Sequence, residues 1–229
     1  MTSIILAGGR SSRFGKNEAS EIDGGKGPKF GQDKALETIG GKRLIQWVID
    51  RLALLSREII IVISHDRGFH YPVCAQVKMV VDVYRGKGPL GGIYSGLLAS
   101  SCFWAIVVGC DMPFLSVALL DYMVQLSPKF EVVVPRVKEK VEPLCALYSK
   151  NCLAPMQKLL ERRELRIREL FNVVKVRYVE EDEIDRFDPQ HLSFFNINTP
   201  SDLEKARRLA MEQTMGGTDP ISIFPLTQR

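Results

Sequence analysis

The segment Ser3-Ile4-Ile5-Leu6-Ala7-Gly8-Gly9 decides the fold, because a short apolar run passes directly into a glycine turn. Such a run is typical of a buried β-strand. The apolar segments 58–63 (EIIIVI) and 104–108 (WAIVV) repeat this pattern, while the apolar residues of 42–55 recur at helical spacing. Alternating strands and helices predict an α/β fold, with a mostly parallel sheet and helices on both of its faces.

The remaining elements follow from the same periodicities. Further strands are predicted at 79–81, 131–134, 144–148 and 173–179. Further helices are predicted at 93–99, 116–126, within 153–171 and at 201–211. Ser116 is the predicted N-cap of its helix. The order of elements changes after Pro143, which indicates a cap or an added antiparallel strand. Sulfur and aromatic side chains in apolar runs are expected to fill the core: Met79, Cys102, Trp104 and Cys110.

Length and composition are those of one ordinary globular domain, with 229 residues, 45% hydrophobic and 25% charged. The net charge of +4 favours an anionic ligand over nucleic acid. We expect no membrane partner, because no apolar run approaches the ~20 residues that span a bilayer. The first residues carry no secretory signal pattern. Five scattered cysteines without a CxxC pair argue against zinc or disulfides, so a cytoplasmic location is expected.

The domain is predicted to span residues 1–213. Segment 16–31 (KNEASEIDGGKGPKFG) is rich in glycine and charge, and we expect it to be an inserted mobile loop. Residues 214–229 carry glycines and prolines and are predicted to form a flexible C-terminal tail.

The glycine-rich segment 6–15 (LAGGRSSRFG) is a candidate phosphate-binding loop. Exposed N–H groups beside Gly8 and Gly9 could bind phosphate oxygens, with positive charge from Arg13 and Lys34. The spacing matches neither the P-loop nor the G-x-G-x-x-G pattern. A plain strand-to-helix turn with solvated bases is the alternative.

Two aspartates follow predicted strands and are candidate ligand-binding residues. Asp111 comes after the strand 104–108, where a carboxylate could hold Mg²⁺ together with phosphates. Asp82 follows the strand 79–81. The alternatives are a helix cap for Asp111 and an Asx turn for Asp82.

With these motifs, the sequence resembles the molybdenum cofactor guanylyltransferases. Segment 6–15 matches the first part of that family's opening signature, and Gln32-Asp33-Lys34-Ala35-Leu36 matches its last part. Later blocks follow in the same order: Gly88-Pro89-Leu90-Gly91-Gly92-Ile93, Cys110-Asp111-Met112-Pro113-Phe114-Leu115, 142–148 (EPLCALY) and 195–203 (FNINTPSDL).

The resemblance implies a Rossmann-like nucleotidyltransferase fold, with GTP as co-substrate and Mg²⁺ as metal. It implies transfer of GMP to molybdenum-bound molybdopterin, with release of pyrophosphate. Other proteins that supply the cofactor or receive it would be further partners.

The resemblance also implies roles for individual residues. The nucleotide-binding residues would be Leu6, Ala7, Gly8, Gly9, Lys34, Asp82 and Asp111. Asp111 would hold the metal, and Arg13, Lys34 and Asp111 would be catalytic. Asn196 and Asn198 would lie on the pterin side, with turn hydrogen bonding as the alternative. A position that is often Asn in relatives falls near residues 64–66, where this chain has no Asn.

Two other functions are compatible with these residues. One is a cytidylyltransferase of the same cofactor, although that family tends to carry Ala where this chain has Gly8. The other is a non-catalytic protein that delivers the cofactor, against which the intact Arg13, Lys34 and Asp111 argue.

Overall fold

The structure of the protein is a computed structural model, and it describes residues 1–7, 37–64 and 76–215. Several predicted features lie outside the described residues: Gly8, Gly9, Arg13, Lys34, the insertion 16–31 and residues 216–229 of the predicted C-terminal tail.

The strands in the described part of the chain are short and mostly apolar, as expected for a sheet covered on both faces. In chain order they are β1 (Thr2–Leu6), β2 (Thr38–Ile39), β3 (Lys42–Arg43), β4 (Glu58–Ile63), β5 (Val77–Val81), β6 (Trp104–Gly109), β7 (Val132–Val137), β8 (Lys140–Val141), β9 (Cys145–Ser149) and β10 (Val176–Val179). Every strand predicted from the sequence is present, with ends that shift by a few residues. The short strands β2, β3 and β8 were not predicted.

Helices alternate with these strands. They are α1 (Leu44–Leu52), α2 (Gly88–Ala99), α3 (Val117–Leu126), α4 (Leu153–Glu161), α5 (Ile167–Phe171), α6 (Glu181–Ile184) and α7 (Pro200–Met215). The predicted cap of α3 is confirmed, because the Ser116 hydroxyl accepts a hydrogen bond from the Leu119 N–H at 3.2 Å. Helix α2 begins five residues before its predicted start, and α7 extends past its predicted end.

The main sheet has the strand order β10-β7-β9-β6-β1-β4-β5, with β8 paired to β7. Strand β1 lies between β4 and β6 and is parallel to both. Strands β5 and β10 are also parallel to their neighbours, whereas β9 is antiparallel to β6 and β7. The mostly parallel α/β fold is therefore confirmed, and the change of order after Pro143 corresponds to the added antiparallel strand β9.

Alternating side chains of the central strands point to opposite faces of the sheet. Ile5 and Ile61 belong to one apolar core, which helices α1 and α3 cover. Ile4 and Ile60 belong to the other, which helices α2, α4 and α5 cover. The sheet is thus packed between helical layers on both faces, as the apolar strands predict.

A third, smaller cluster connects α7 to the β2–β3 hairpin. Ile39, Phe114 and Ile197 are buried there with Leu203 and Ala206 of α7. Because Phe114 follows Asp111 closely in the chain, this cluster fixes the 195–198 segment beside the carboxyl end of β6.

The prediction of a buried Met79 was wrong. Among the strands of the described residues, β5 is the last on its side of the sheet, and the Met79 side chain is 38% exposed. Among the described residues, no helix is long and apolar enough to cross a membrane.

Candidate active site

The chain reverses its direction of winding across the sheet at β1. From β1 it proceeds to β4 and β5 on one side, and then crosses back through α2 to β6 on the other side. In open α/β sheets, ligands bind at the carboxyl ends of the strands at such a switch point. Here those ends are Leu6, the last residue of β1, with Ala7 after it, and Gly109, the last residue of β6, with Cys110 and Asp111 after it.

Backbone hydrogen bonds fix the two strand ends against each other. Leu6 pairs with Gly109 in register, and the Cys110 N–H donates to the Leu6 carbonyl at 3.2 Å. The Ala7 N–H donates to the Val62 carbonyl at 2.9 Å. The Leu6 carbonyl and the Ala7 N–H are therefore hydrogen-bonded within the sheet. Contact of these residues with a ligand would come from their side chains and from the Ala7 carbonyl.

Asp111 lies at the switch point, as the sequence predicts. Its Oδ1 is 2.6 Å from the position that a Cβ on Gly109 would occupy, so the carboxylate lies in space that the missing side chain leaves open. The Asp111 carbonyl accepts a hydrogen bond from the Ile197 N–H at 3.0 Å. Ser116 is the cap of α3, so the capping alternative does not explain Asp111.

Asp82 follows β5 and is almost fully buried, with 7% exposure. Its Oδ1 accepts hydrogen bonds from the Tyr84 N–H at 2.9 Å and from the Ser95 hydroxyl at 2.7 Å. The first bond is the Asx turn expected as the structural alternative. The second connects the carboxylate to helix α2.

The two aspartates lie too far apart to hold one metal ion together. Three strand spacings separate β5 from β6, which is about 14 Å. Carboxylate oxygens bind Mg²⁺ or Ca²⁺ at roughly 2.0–2.6 Å. Asp82 and Asp111 would therefore contact different parts of an elongated ligand.

Helix α2 approaches the site unusually closely. A Cβ on Gly96 would lie 2.5 Å from Ile4 Cγ2, and a Cβ on Gly92 would lie 3.1 Å from Leu6 Cδ2. Small residues on this face let the helix pack directly on β1. Its first turn, from Gly88, consequently lies at the same edge of the sheet as Leu6.

Asn196 and Asn198 are brought next to the switch point, because Ile197 between them is bonded to Asp111. The Asn196 side chain donates to the Phe194 carbonyl at 3.1 Å, which is a turn hydrogen bond. The Asn198 N–H donates to Asp202 Oδ2 at 2.9 Å at the start of α7. A role for both residues on the pterin side stays a prediction.

Sequence reasoning missed three residues that organise this edge. Ser95 bonds Asp82, Gly109 makes room for Asp111, and Asp188 accepts the N–H groups of Leu192 and Ser193 in the turn before Asn196. The Ser95–Asp82 contact joins residues 13 apart in the chain, so spacing carries no signal for it. The contacts of Gly109 and Asp188 are local, but the residues that make them form no distinctive motif.

Two cysteines in the described part of the chain, Cys145 and Cys152, are buried and poor nucleophiles. Burial raises the pKa of the Cys152 thiol to about 12, and burial also raises that of Cys145 well above its ordinary value. Both stay protonated at neutral pH. No group of three or more His, Cys, Asp or Glu in the described ranges could hold a metal ion.

Fold and site together define an open α/β protein with a carboxylate at the switch point, where proteins of this architecture bind ligands. The sequence profile of the MobA-like NTP transferase domain matches residues 23–178. The chain therefore belongs to the MobA-like NTP transferase family, and it is a nucleotidyltransferase.

Relatives that match over most of their length are named as molybdenum cofactor guanylyltransferases. The molybdenum cofactor guanylyltransferase of Desulfosudis oleivorans is 32% identical over 208 residues, which are 90% of this chain and 94% of that protein. A probable molybdenum cofactor guanylyltransferase of Pelotomaculum thermopropionicum is 34% identical over 216 residues, which are 94% of this chain and 96% of the relative.

Solved structures agree in fold. Molybdopterin-guanine dinucleotide biosynthesis protein A from Archaeoglobus fulgidus has a TM-score of 0.74 at 23% identity, covering 93% of this chain and 100% of that one. The 2-C-methyl-D-erythritol 4-phosphate cytidylyltransferase from Thermus thermophilus has a TM-score of 0.63 at 17% identity, covering 91% of this chain and 98% of that one. The predicted nucleotidyltransferase fold is thus confirmed.

Proposed function

We propose that this protein transfers GMP from GTP to the terminal phosphate of molybdenum-bound molybdopterin, forming the guanine dinucleotide cofactor and releasing pyrophosphate. The observation that carries the proposal is the position of Asp111 beside Leu6 and Ala7 at the switch point, in a chain whose full-length relatives are named as guanylyltransferases. Membership of the family supports molybdopterin as the acceptor. Gly8, where the cytidylyltransferases tend to carry Ala, supports guanine as the base.

The transfer is a displacement at the α-phosphorus of GTP. A terminal phosphate oxygen of molybdopterin forms the new bond to that phosphorus, and the bond to the bridging oxygen of pyrophosphate breaks. The attacking oxygen is already an anion, so the reaction needs no strong general base. The protein must instead bring two anions together in line and stabilise their charge. Arg13 and Lys34 are the proposed cations for this purpose.

The site residues fit a magnesium ion held jointly with the nucleotide. Mg²⁺ is usually bound by one or two carboxylates together with substrate phosphates, and the open space above Gly109 accommodates the Asp111 carboxylate. Asp111 would hold the ion, which when bound would neutralise phosphate charge. Asp82, at the far side of the crevice, would contact the nucleoside part of GTP.

The identity of the nucleotide is tested by thermal unfolding with GTP, CTP, ATP and UTP, each with Mg²⁺. A ligand at about 100 times its Kd stabilises by about 2.7 kcal/mol, which raises Tm by roughly 5–10 °C in a chain of this length. We expect the largest shift with GTP. An equal or larger shift with CTP would contradict the guanylyl assignment while leaving the fold intact.

A second measurement tests catalysis directly. Molybdopterin and GTP together should release pyrophosphate, whereas a non-catalytic delivery protein would bind without releasing it. We further propose that the protein works in the cytoplasm with proteins that supply or receive the cofactor. The free cysteines among the described residues, two of them buried, are consistent with a reducing compartment.

A further inference from the structure

The hydroxyl of Ser95, in the second turn of α2, is the centre of a hydrogen-bond group beside the nucleotide site. Ser95 is 1% exposed. Its Oγ lies 2.7 Å from Asp82 Oδ1 and 2.8 Å from the Gly91 carbonyl, and it accepts the Val83 N–H at 3.0 Å. One side chain therefore connects the end of β5, the following loop and the start of α2.

A serine hydroxyl has a single hydrogen to donate. The Gly91 carbonyl is a neutral acceptor, whereas an ionised carboxylate accepts a stronger and shorter bond. The hydrogen of Ser95 therefore goes to Asp82 Oδ1 when that carboxylate is charged. Because the Val83 N–H donates to the same Oγ, the hydroxyl is held in this orientation.

The two carboxylate oxygens of Asp82 differ in their hydrogen bonds. Ser95 and the Tyr84 N–H both bond Oδ1, and within the described residues no hydrogen bond reaches Oδ2. Oδ2 lies 3.3 Å from the position that a Cβ on Gly91 would occupy, and Tyr84 packs closely against the same position, so a larger residue there would displace this loop. Oδ2 is thus the oxygen in position to accept from a ligand hydroxyl or N–H.

We propose that Ser95 is a positioning residue of the nucleotide site, which holds Asp82 so that Oδ2 faces the nucleoside part of GTP. This proposal rests on the proposed function. It predicts that Ser95 acts on GTP binding through Asp82 alone.

The test compares Ser95→Ala, Asp82→Ala and the double variant in the full-length protein. The readouts are KM for GTP in pyrophosphate release and Kd for GTP by calorimetry. Ser95→Ala should raise KM and Kd by about tenfold, a factor that corresponds to about 1.4 kcal/mol, with little change in kcat. In the Asp82→Ala background, the same substitution should have no further effect.

Ser56→Ala is the matched control, because Ser56 is also buried and its hydroxyl bonds Ser3 at the opposite end of the sheet. It should leave KM for GTP unchanged. If Ser95→Ala does not fold, Ser95→Cys fills similar space with a weak donor and takes its place.

Three results would overturn the proposal. They are an unchanged KM in the folded Ser95 variants, the same fold-increase with and without Asp82, or an unchanged KM in Asp82→Ala. If the wild-type protein neither binds nor turns over GTP, the proposed function is overturned instead. The wild-type protein is therefore measured before any variant is made.

Discussion

Glu58 at the start of β4 joins four segments at the amino ends of the strands, and its replacement by Gln should make stability depend less on pH. Its Oε2 accepts hydrogen bonds from the Thr2 hydroxyl at 2.5 Å and from the N–H and hydroxyl of Ser101 at 3.0 and 2.9 Å. Its Oε1 lies 2.7 Å from Lys78 Nζ. Glu58 thereby connects β1, β5 and the segment before β6.

The magnitude follows from the pKa of this carboxyl. Burial by itself raises the pKa of Glu58, but the hydrogen bonds from Lys78, Thr2 and Ser101 outweigh it and lower the pKa from 4.5 to about 2. Such a lowering corresponds to about 3 kcal/mol of stability at neutral pH. Because Gln keeps one acceptor oxygen, we expect Glu58→Gln to reduce the free energy of unfolding by about 2 kcal/mol at pH 7.

The pH dependence has a definite sign. A carboxyl with a lowered pKa in the folded state stabilises fully above pH 4.5, and this stabilisation is lost as the pH falls towards 2. Urea unfolding at pH 7 and pH 3 measures the effect. The difference between wild type and Glu58→Gln should shrink by about 2 kcal/mol over this interval.

Glu161→Gln is the matched control, because Glu161 is exposed on α4 and accepts one hydrogen bond, from Gln157. It should change stability by less than about 0.5 kcal/mol at either pH. A difference between Glu58→Gln and wild type that stays the same from pH 7 to pH 3 would refute the reasoning. Guanylyl transfer should not change, because Glu58 lies at the edge of the sheet opposite the site.

Three further predictions concern the site and its support. Asp111→Asn should stay folded and lose about a hundredfold or more in pyrophosphate release; activity within a few-fold of wild type would make Asp111 merely structural. Gly96→Ala should lower the free energy of unfolding by about 1–2 kcal/mol in urea, since contact with Ile4 outweighs the gain in helix propensity; unchanged stability would show that Ile4 moves aside. Excision of residues 16–31 restores the uninterrupted family motif and should leave a folded, active enzyme; a folded but inactive one would place the insertion in the active site.

The order of elements was predictable because it depends on local patterns. Apolar β-branched runs such as 58–63 form strands that are covered on both faces of the sheet. The helix cap at Ser116 is recognisable from the residues around it. Met79 shows the limit of this approach. Its segment looks like the other buried strands, but the exposure of a side chain depends on which elements cover its face of the sheet, and that is a property of the whole fold.

The same distinction separates the site residues that sequence could find from those it could not. Asp82 and Asp111 were identifiable because each directly follows a strand, and parallel strands end at one edge. Ser95 and Gly109 were not, since a hydroxyl inside a helix and a glycine at a strand end are common in any protein. Their importance comes from distances to Asp82 and Asp111 that only the packed structure provides.

The sequence of helix α2 reflects the requirements of the site as well as those of the helix. Glycine inside a helix is less stable than alanine by about 1 kcal/mol, yet α2 contains Gly91, Gly92 and Gly96. A Cβ at these positions would lie 2.9 Å from the Tyr84 carbonyl, 3.1 Å from Leu6 and 2.5 Å from Ile4, respectively. Alanines would therefore push the helix away from β1 and from the loop after Asp82. The glycines lower the intrinsic stability of the helix, but they hold its first turn and Ser95 where the nucleotide site needs them.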